Sequence, residues 1–99
     1  YRVRAGSEAR FEGLLARHTP TLRALGLIAD APVRVLRRVD GDDPVYVELF
    51  EWSNADAAQR AAEVPDVIAI WEPMAAACEA RDGLPGLEFP LFDRVELLG

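Results

Sequence analysis

The chain has 99 residues, 51% of them hydrophobic and 28% charged, a balance that fits one globular domain with one core and not a disordered segment. All 11 basic residues are arginine, which excludes Schiff-base lysine chemistry and a P-loop. The net charge of −6 excludes a duplex nucleic-acid binder, which needs a basic stripe to displace counterions.

Tyr1 to Arg4 alternates apolar and basic residues like the end of a strand, and Ala5-Gly6 breaks it. Ser7 is a plausible N-cap with Glu8 in the first turn. Phe11, Leu14, Leu15, His18, Leu22 and Leu25 then share one face of a single helix. Pro20 lies off that face and should kink the helix without ending it, and Gly26 is the stop signal. Leu27 to Pro32 is a connection. Val33 to Asp40 reads as a strand, residues 40–44 as a dense turn, and Val45 to Trp52 as the clearest strand, so 33–52 is a hairpin. Ser53, with Asp56 three residues on, predicts a helix start, and Ala57 to Ala62 a short helical segment. Pro65 restarts the helix at its first position, where a missing N–H costs little. Val64, Val67, Ile68, Trp71, Met74, Ala75 and Cys78 share its inner face, with Pro73 as a second kink. Arg81 to Pro90 is a loop with two glycines and two prolines, and Leu91 to Leu98 reads as the last strand.

The resulting order, β-α-β-β-α-β, predicts an α+β, ferredoxin-like domain over residues 1–99, with an antiparallel sheet covered on one face by helices. On the central strand Val45, Val47 and Leu49 line one face, and Tyr46, Phe50 and Trp52 the other, interrupted only by Glu48. Both faces want cover, and one chain has helices for one. A large exposed aromatic face is rare on a monomer, so the pattern predicts a homodimer packed sheet to sheet.

Few residue types able to carry chemistry are present. His18 is the single imidazole. It is either a buried proton acceptor or a core-edge histidine bonded to a carbonyl. A lone histidine cannot build a multi-histidine metal site, neither Ser7 nor Ser53 sits in a nucleophile elbow, and neither a metal nor a cofactor is expected. Trp71 and Met74 lie on the inner helix face, as a stacking wall for a flat aromatic ligand or as plain core. Trp52 is a pocket rim or an interface anchor. Tyr46 and Glu48 share the aromatic strand face. Glu48 is either an acid facing a ligand or an interface carboxylate paired with Arg34 or Arg38. Cys78 cannot close an internal disulfide and reads as a small buried apolar group. The acidic run Asp40, Asp42, Asp43 lacks the spacing of a calcium loop and reads as a solvated turn. Glu72, Glu79, Arg81 and Asp82 read as solvated helix-end charges. No apolar run approaches a membrane span and no signal-peptide pattern opens the chain, so the expected location is the cytoplasm.

The element order, the strand ending Val47-Glu48-Leu49-Phe50-Glu51-Trp52, the stretch Asn54-Ala55-Asp56-Ala57-Ala58 and Val67-Ile68-Ala69-Ile70-Trp71-Glu72-Pro73-Met74 together resemble the dimeric α/β-barrel superfamily. Within it the chain is most similar to the antibiotic biosynthesis monooxygenase group. The resemblance implies a dimeric α/β barrel and a pocket between sheet and helices. It also implies cofactor-independent oxygenation of a polycyclic aromatic or quinol-type molecule, which itself supplies the electrons. His18 would then be the catalytic base, with Tyr46, Glu48, Trp52, Trp71 and Met74 against the substrate. Two other functions fit the same residues: a non-catalytic dimeric module binding a small hydrophobic ligand, and a cofactor-free isomerase or cyclase.

Overall fold

A computed structural model describes residues 1–97. It contains helix α1 (Glu8–Ala24), strands β1 (Arg34–Arg37) and β2 (Tyr46–Leu49), a short helix α2 (Ala57–Ala61) and helix α3 (Pro65–Ala76).

Helix α1 forms where the apolar spacing predicts it. Phe11, Leu14, Leu15, His18 and Leu22 are all buried. Ser7 holds the N-cap position, but its side chain makes no cap bond; instead the Gly6 N–H donates to Glu8 Oε1. The helix runs through Pro20. That proline is exposed, so the carbonyl it leaves without an N–H faces water. At the other end Leu27 N–H donates to Leu22 O and Gly26 N–H to Arg23 O. Gly26 sits at φ +71°. This is a Schellman stop: the left-handed position needs a glycine, and Leu22 and Leu27 meet in the core. Leu25, expected on the buried face, is exposed because the helix has already ended there.

Strands β1 and β2 pair antiparallel with Val35 opposite Glu48 and Leu36 opposite Val47. Helix α3 starts at Pro65 as its N1 chemistry predicts and buries Val67, Ile70 and Met74. Ser53 does not cap α2; Asp56 holds that position, while the Ser53 hydroxyl donates to Gly26 O. Helices α1 and α3 pack on one another.

The core has two clusters. One gathers Val3, Phe11, Leu14, Leu15, Tyr46, Ile70, Met74, Ala77 and Cys78. The other gathers Leu22, Leu27, Ile28, Ala57, Ala61 and Val67. Trp71 packs against both, so its ring is the seam between them.

The ferredoxin-like β-α-β-β-α-β sheet, and with it the barrel, does not form. The ladder is limited to β1 and β2. Residues 1–4 thread between the hairpin and the segment after α3, through single bridges Arg2–Val45 and Val3–Cys78. On the hairpin side the Tyr1 ammonium donates to Tyr46 O, Tyr46 N–H to Tyr1 O and Val3 N–H to Pro44 O; on the other side Arg4 N–H donates to Ala77 O, Glu79 N–H to Arg2 O and Arg2 N–H to Gly86 O. Residues 91–97 form no strand, and Leu98 lies outside the described residues. An extended segment becomes a strand only where a partner meets its N–H and C=O groups. The segment here leaves Phe89, Leu91, Phe92, Val95 and Leu97 exposed, and Pro85 and Pro90 supply no N–H.

The helices of the same chain cover the aromatic face of β2, the face on which the sequence predicts a second copy. Tyr46 is 3% exposed, and the face it shares with Glu48 lies under the helices. The open face is the other one, where Leu36, Val47 and Leu49 are exposed. Which face the helices take is set by packing, and alternation alone does not choose it.

Candidate functional site

Helix α1 sets His18 on its buried side two turns beyond Phe11, and strand β2 sets Glu48 two residues beyond Tyr46. The two side chains meet: His18 Nδ1 lies 2.9 Å from Glu48 Oε2 and 3.0 Å from Oε1. His18 is 2% exposed and the Glu48 side chain 1%. From α3 the Trp71 indole N–H donates to His18 Nε2 at 2.8 Å. From the first residues of the chain the Tyr1 hydroxyl donates to Glu48 Oε1 at 2.7 Å. Phe50 closes the side, its ring edge-on to the imidazole with centroids 5.9 Å apart.

The hydrogen positions follow from the donors. An indole N–H only donates, so Nε2 presents its lone pair. The imidazole proton is therefore on Nδ1, and it donates to the Glu48 carboxylate. Tyr1, Glu48, His18 and Trp71 form one chain of satisfied hydrogen bonds through the middle of the protein. Among the described residues no arginine lies within ion-pair distance of Glu48, so the buried carboxylate rests on a tyrosine hydroxyl and an imidazole N–H.

This arrangement brings together three residues that the sequence marked separately: His18, Glu48 and Trp71. It corrects the pairing expected for Glu48. Arg38 lies over the 40–43 turn, with its guanidinium donating to Asp43 O and 3.9 Å from Asp40. Tyr46 is not at the site. Its ring packs on Phe11 at 5.2 Å and its hydroxyl donates to Glu12 Oε2 at 2.6 Å. Met74 is core, 2% exposed among the Phe11 cluster. Trp52 packs edge-on against Phe50 at 4.9 Å and is one ring removed from the imidazole. Cys78 is buried and its thiol is pushed up by that burial, as expected for an inert apolar group. Arg81 is no solvated end charge. Its guanidinium donates to Val3 O and Pro44 O and ties the first residues to the hairpin. Among the described residues no three His, Cys, Asp or Glu side chains gather as a metal site requires.

Two participants, Tyr1 and Phe50, were not among the candidate site residues. Tyr1 shows only the alternation of a strand end. Phe50 does carry a signal, since it follows Tyr46 and Glu48 at period two on the same strand face.

Burial first, and then the hydrogen bond to Glu12, push the Tyr46 phenol up to about 12. Burial and the neighbouring Glu48 carboxylate push the Tyr1 phenol up still further. A raised phenol contributes stability that is fully present below the ordinary value of 10.0 and is lost as pH climbs through the folded value. The denaturant midpoint should therefore begin to fall above the Cys78 thiol's ordinary value of 9.0 and fall more steeply between 10 and 12. Tyr1→Phe should flatten that fall, and an unchanged slope would mean that Tyr1 ionises as freely in the native state as in the unfolded chain.

No helix of the described residues is long and apolar enough to cross a membrane. Comparison with protein-family models, with curated proteins and with solved structures found no match.

Proposed function

We propose that the Glu48–His18 pair is a general base, and that the protein oxygenates an aromatic small molecule with an acidic C–H or O–H, without a cofactor. The observation that carries this reading is the pair of partners at the two ring nitrogens, a carboxylate at Nδ1 and an N–H donor at Nε2. Nδ1–H points at a buried carboxylate and the lone pair of Nε2 points away from it. A carboxylate behind an imidazole orients the ring and stabilises the imidazolium that forms when Nε2 takes a proton.

The reaction balances without an outside reductant. A ring methylene gives its proton to Nε2 and becomes a carbanion. The carbanion passes one electron to dioxygen, the two radicals combine, and the peroxide takes the proton held by His18; loss of the remaining C–H proton then forms the C=O bond, breaks the O–O bond and releases the outer oxygen as water. The sum is R2CH2 + O2 → R2C=O + H2O. The same reading puts the protein in the cytoplasm, with Cys78 as a free thiol.

The experiment is oxygen uptake by metal-stripped protein with a panel of anthrones and reduced naphthoquinones, against protein-free controls. Uptake above autoxidation should fall by at least about a hundredfold in His18→Gln, which keeps a polar side chain but no base. Proton exchange at the substrate carbon without oxygen uptake would favour an isomerase or cyclase instead. Neither exchange nor uptake from folded protein would leave a binding module.

A further inference from the structure

The nitrogen with the lone pair is also the nitrogen that Trp71 occupies. At 2.8 Å the indole N–H fills the one acceptor position of the imidazole. Glu48 holds the opposite nitrogen and Phe50 the ring edge. His18 itself is anchored in the middle of α1. Around the imidazole, therefore, Trp71 is the side with room to give. It is only partly buried, and its outer face meets Phe89, with centroids 6.5 Å apart and the planes 27° from parallel. Phe89 is 68% exposed and belongs to a segment without helix or strand. A rotation of the indole about its own side-chain bonds parts it from that exposed ring and from the edges of the two core clusters it packs against, and breaks no backbone ladder.

We propose that Trp71 is a displaceable cap on His18, and that the site takes flat aromatic ligands bearing an O–H or N–H donor at the ring edge. The proposal rests on the reading of Nε2 as the proton acceptor and names the ligand class that this nitrogen selects. A ligand that takes the place of the indole must supply what the indole supplied. A donor restores the bond to Nε2. A carbonyl, ether or carboxylate would set lone pair against lone pair and leave a buried acceptor unsatisfied. Recognition of a donor in this way discriminates strongly, because the analogue without it strands a polar atom of the protein. Phe50 and Phe89 supply the aromatic surroundings that a flat ring needs. The cap also weakens apparent binding, since only the uncapped fraction is competent.

One imidazole and two indoles make the test readable by NMR. Under anaerobic conditions 15N-labelled protein is titrated with 2-naphthol and with 2-methoxynaphthalene, the same ring without a donor. 2-Naphthol should move the Trp71 indole N–H and the His18 Nε2 resonances and leave the Trp52 indole in place. 2-Methoxynaphthalene should bind at least about tenfold more weakly. Trp71→Phe identifies the indole signal, and by removing the cap it should tighten 2-naphthol about threefold to tenfold. Should that variant fail to fold, the two probes on the unaltered protein decide the matter. Equal binding of the two probes, binding of neither, or 2-naphthol binding with the Trp71 signal unmoved would each overturn the cap. Displacement without oxygen uptake would keep the cap and overturn the oxygenase. Uptake with an undisturbed indole would do the reverse.

Discussion

Truncating His18 to alanine should destabilise the protein by about 3–5 kcal/mol, the scale seen when removing a partner leaves a buried charge uncompensated. The cavity is part of the cost. The larger part is what stays behind: the Glu48 carboxylate, 1% exposed, loses one of its two donors, and the Trp71 N–H loses its acceptor. Glu48→Ala should cost a similar amount, because it strands the Nδ1–H and the Tyr1 hydroxyl. The double replacement His18→Ala with Glu48→Ala should cost less than the sum of the single changes, since both ends of the polar bond leave together. Urea unfolding of the four proteins closes the cycle. Strict additivity would mean that the pair is not coupled in solution.

Glu48→Gln should lower oxygen turnover by about a hundredfold to ten-thousandfold while leaving the fold intact. The amide oxygen can still accept from Nδ1–H, and its NH2 group can donate to Tyr1, which turns to accept. Position is kept and charge is lost. The imidazolium formed on proton transfer then has no carboxylate behind it, so kcat falls more than KM rises. Circular dichroism matching the parent, with turnover unchanged, would show that Glu48 only holds His18 in place.

The helices and the hairpin at 33–52 were legible in the sequence, and the outer strands of the expected sheet were not. The apolar spacing from Phe11 to Leu22, the glycine after Leu25 and the proline opening α3 each state a local rule, and the structure obeys them. Strands depend on partners elsewhere in the chain. The alternation at 1–4 and 91–97 promised strands, but the first makes single bridges and the second none. The site was half legible. His18 stood out as the only imidazole, on an apolar helix face. Glu48 stood out as the only charge on an aromatic strand face. That they face each other depends on which side of the hairpin the helices cover, and both sides of that strand are apolar enough to be covered. Tyr1 was illegible, because its hydroxyl reaches Glu48 only through the threading of residues 1–4 beside β2.

The double membership of Trp71 in the two core clusters has a cost for function. A residue that joins two packed regions transmits motion between them, so each swing of the indole loosens the cooperative unit as a whole. A ligand that displaces it should leave the site occupied while amide protons in α3 exchange faster. Variants selected for a rigid interior would gain heat resistance by fixing that ring, and would lose access to the imidazole by the same change.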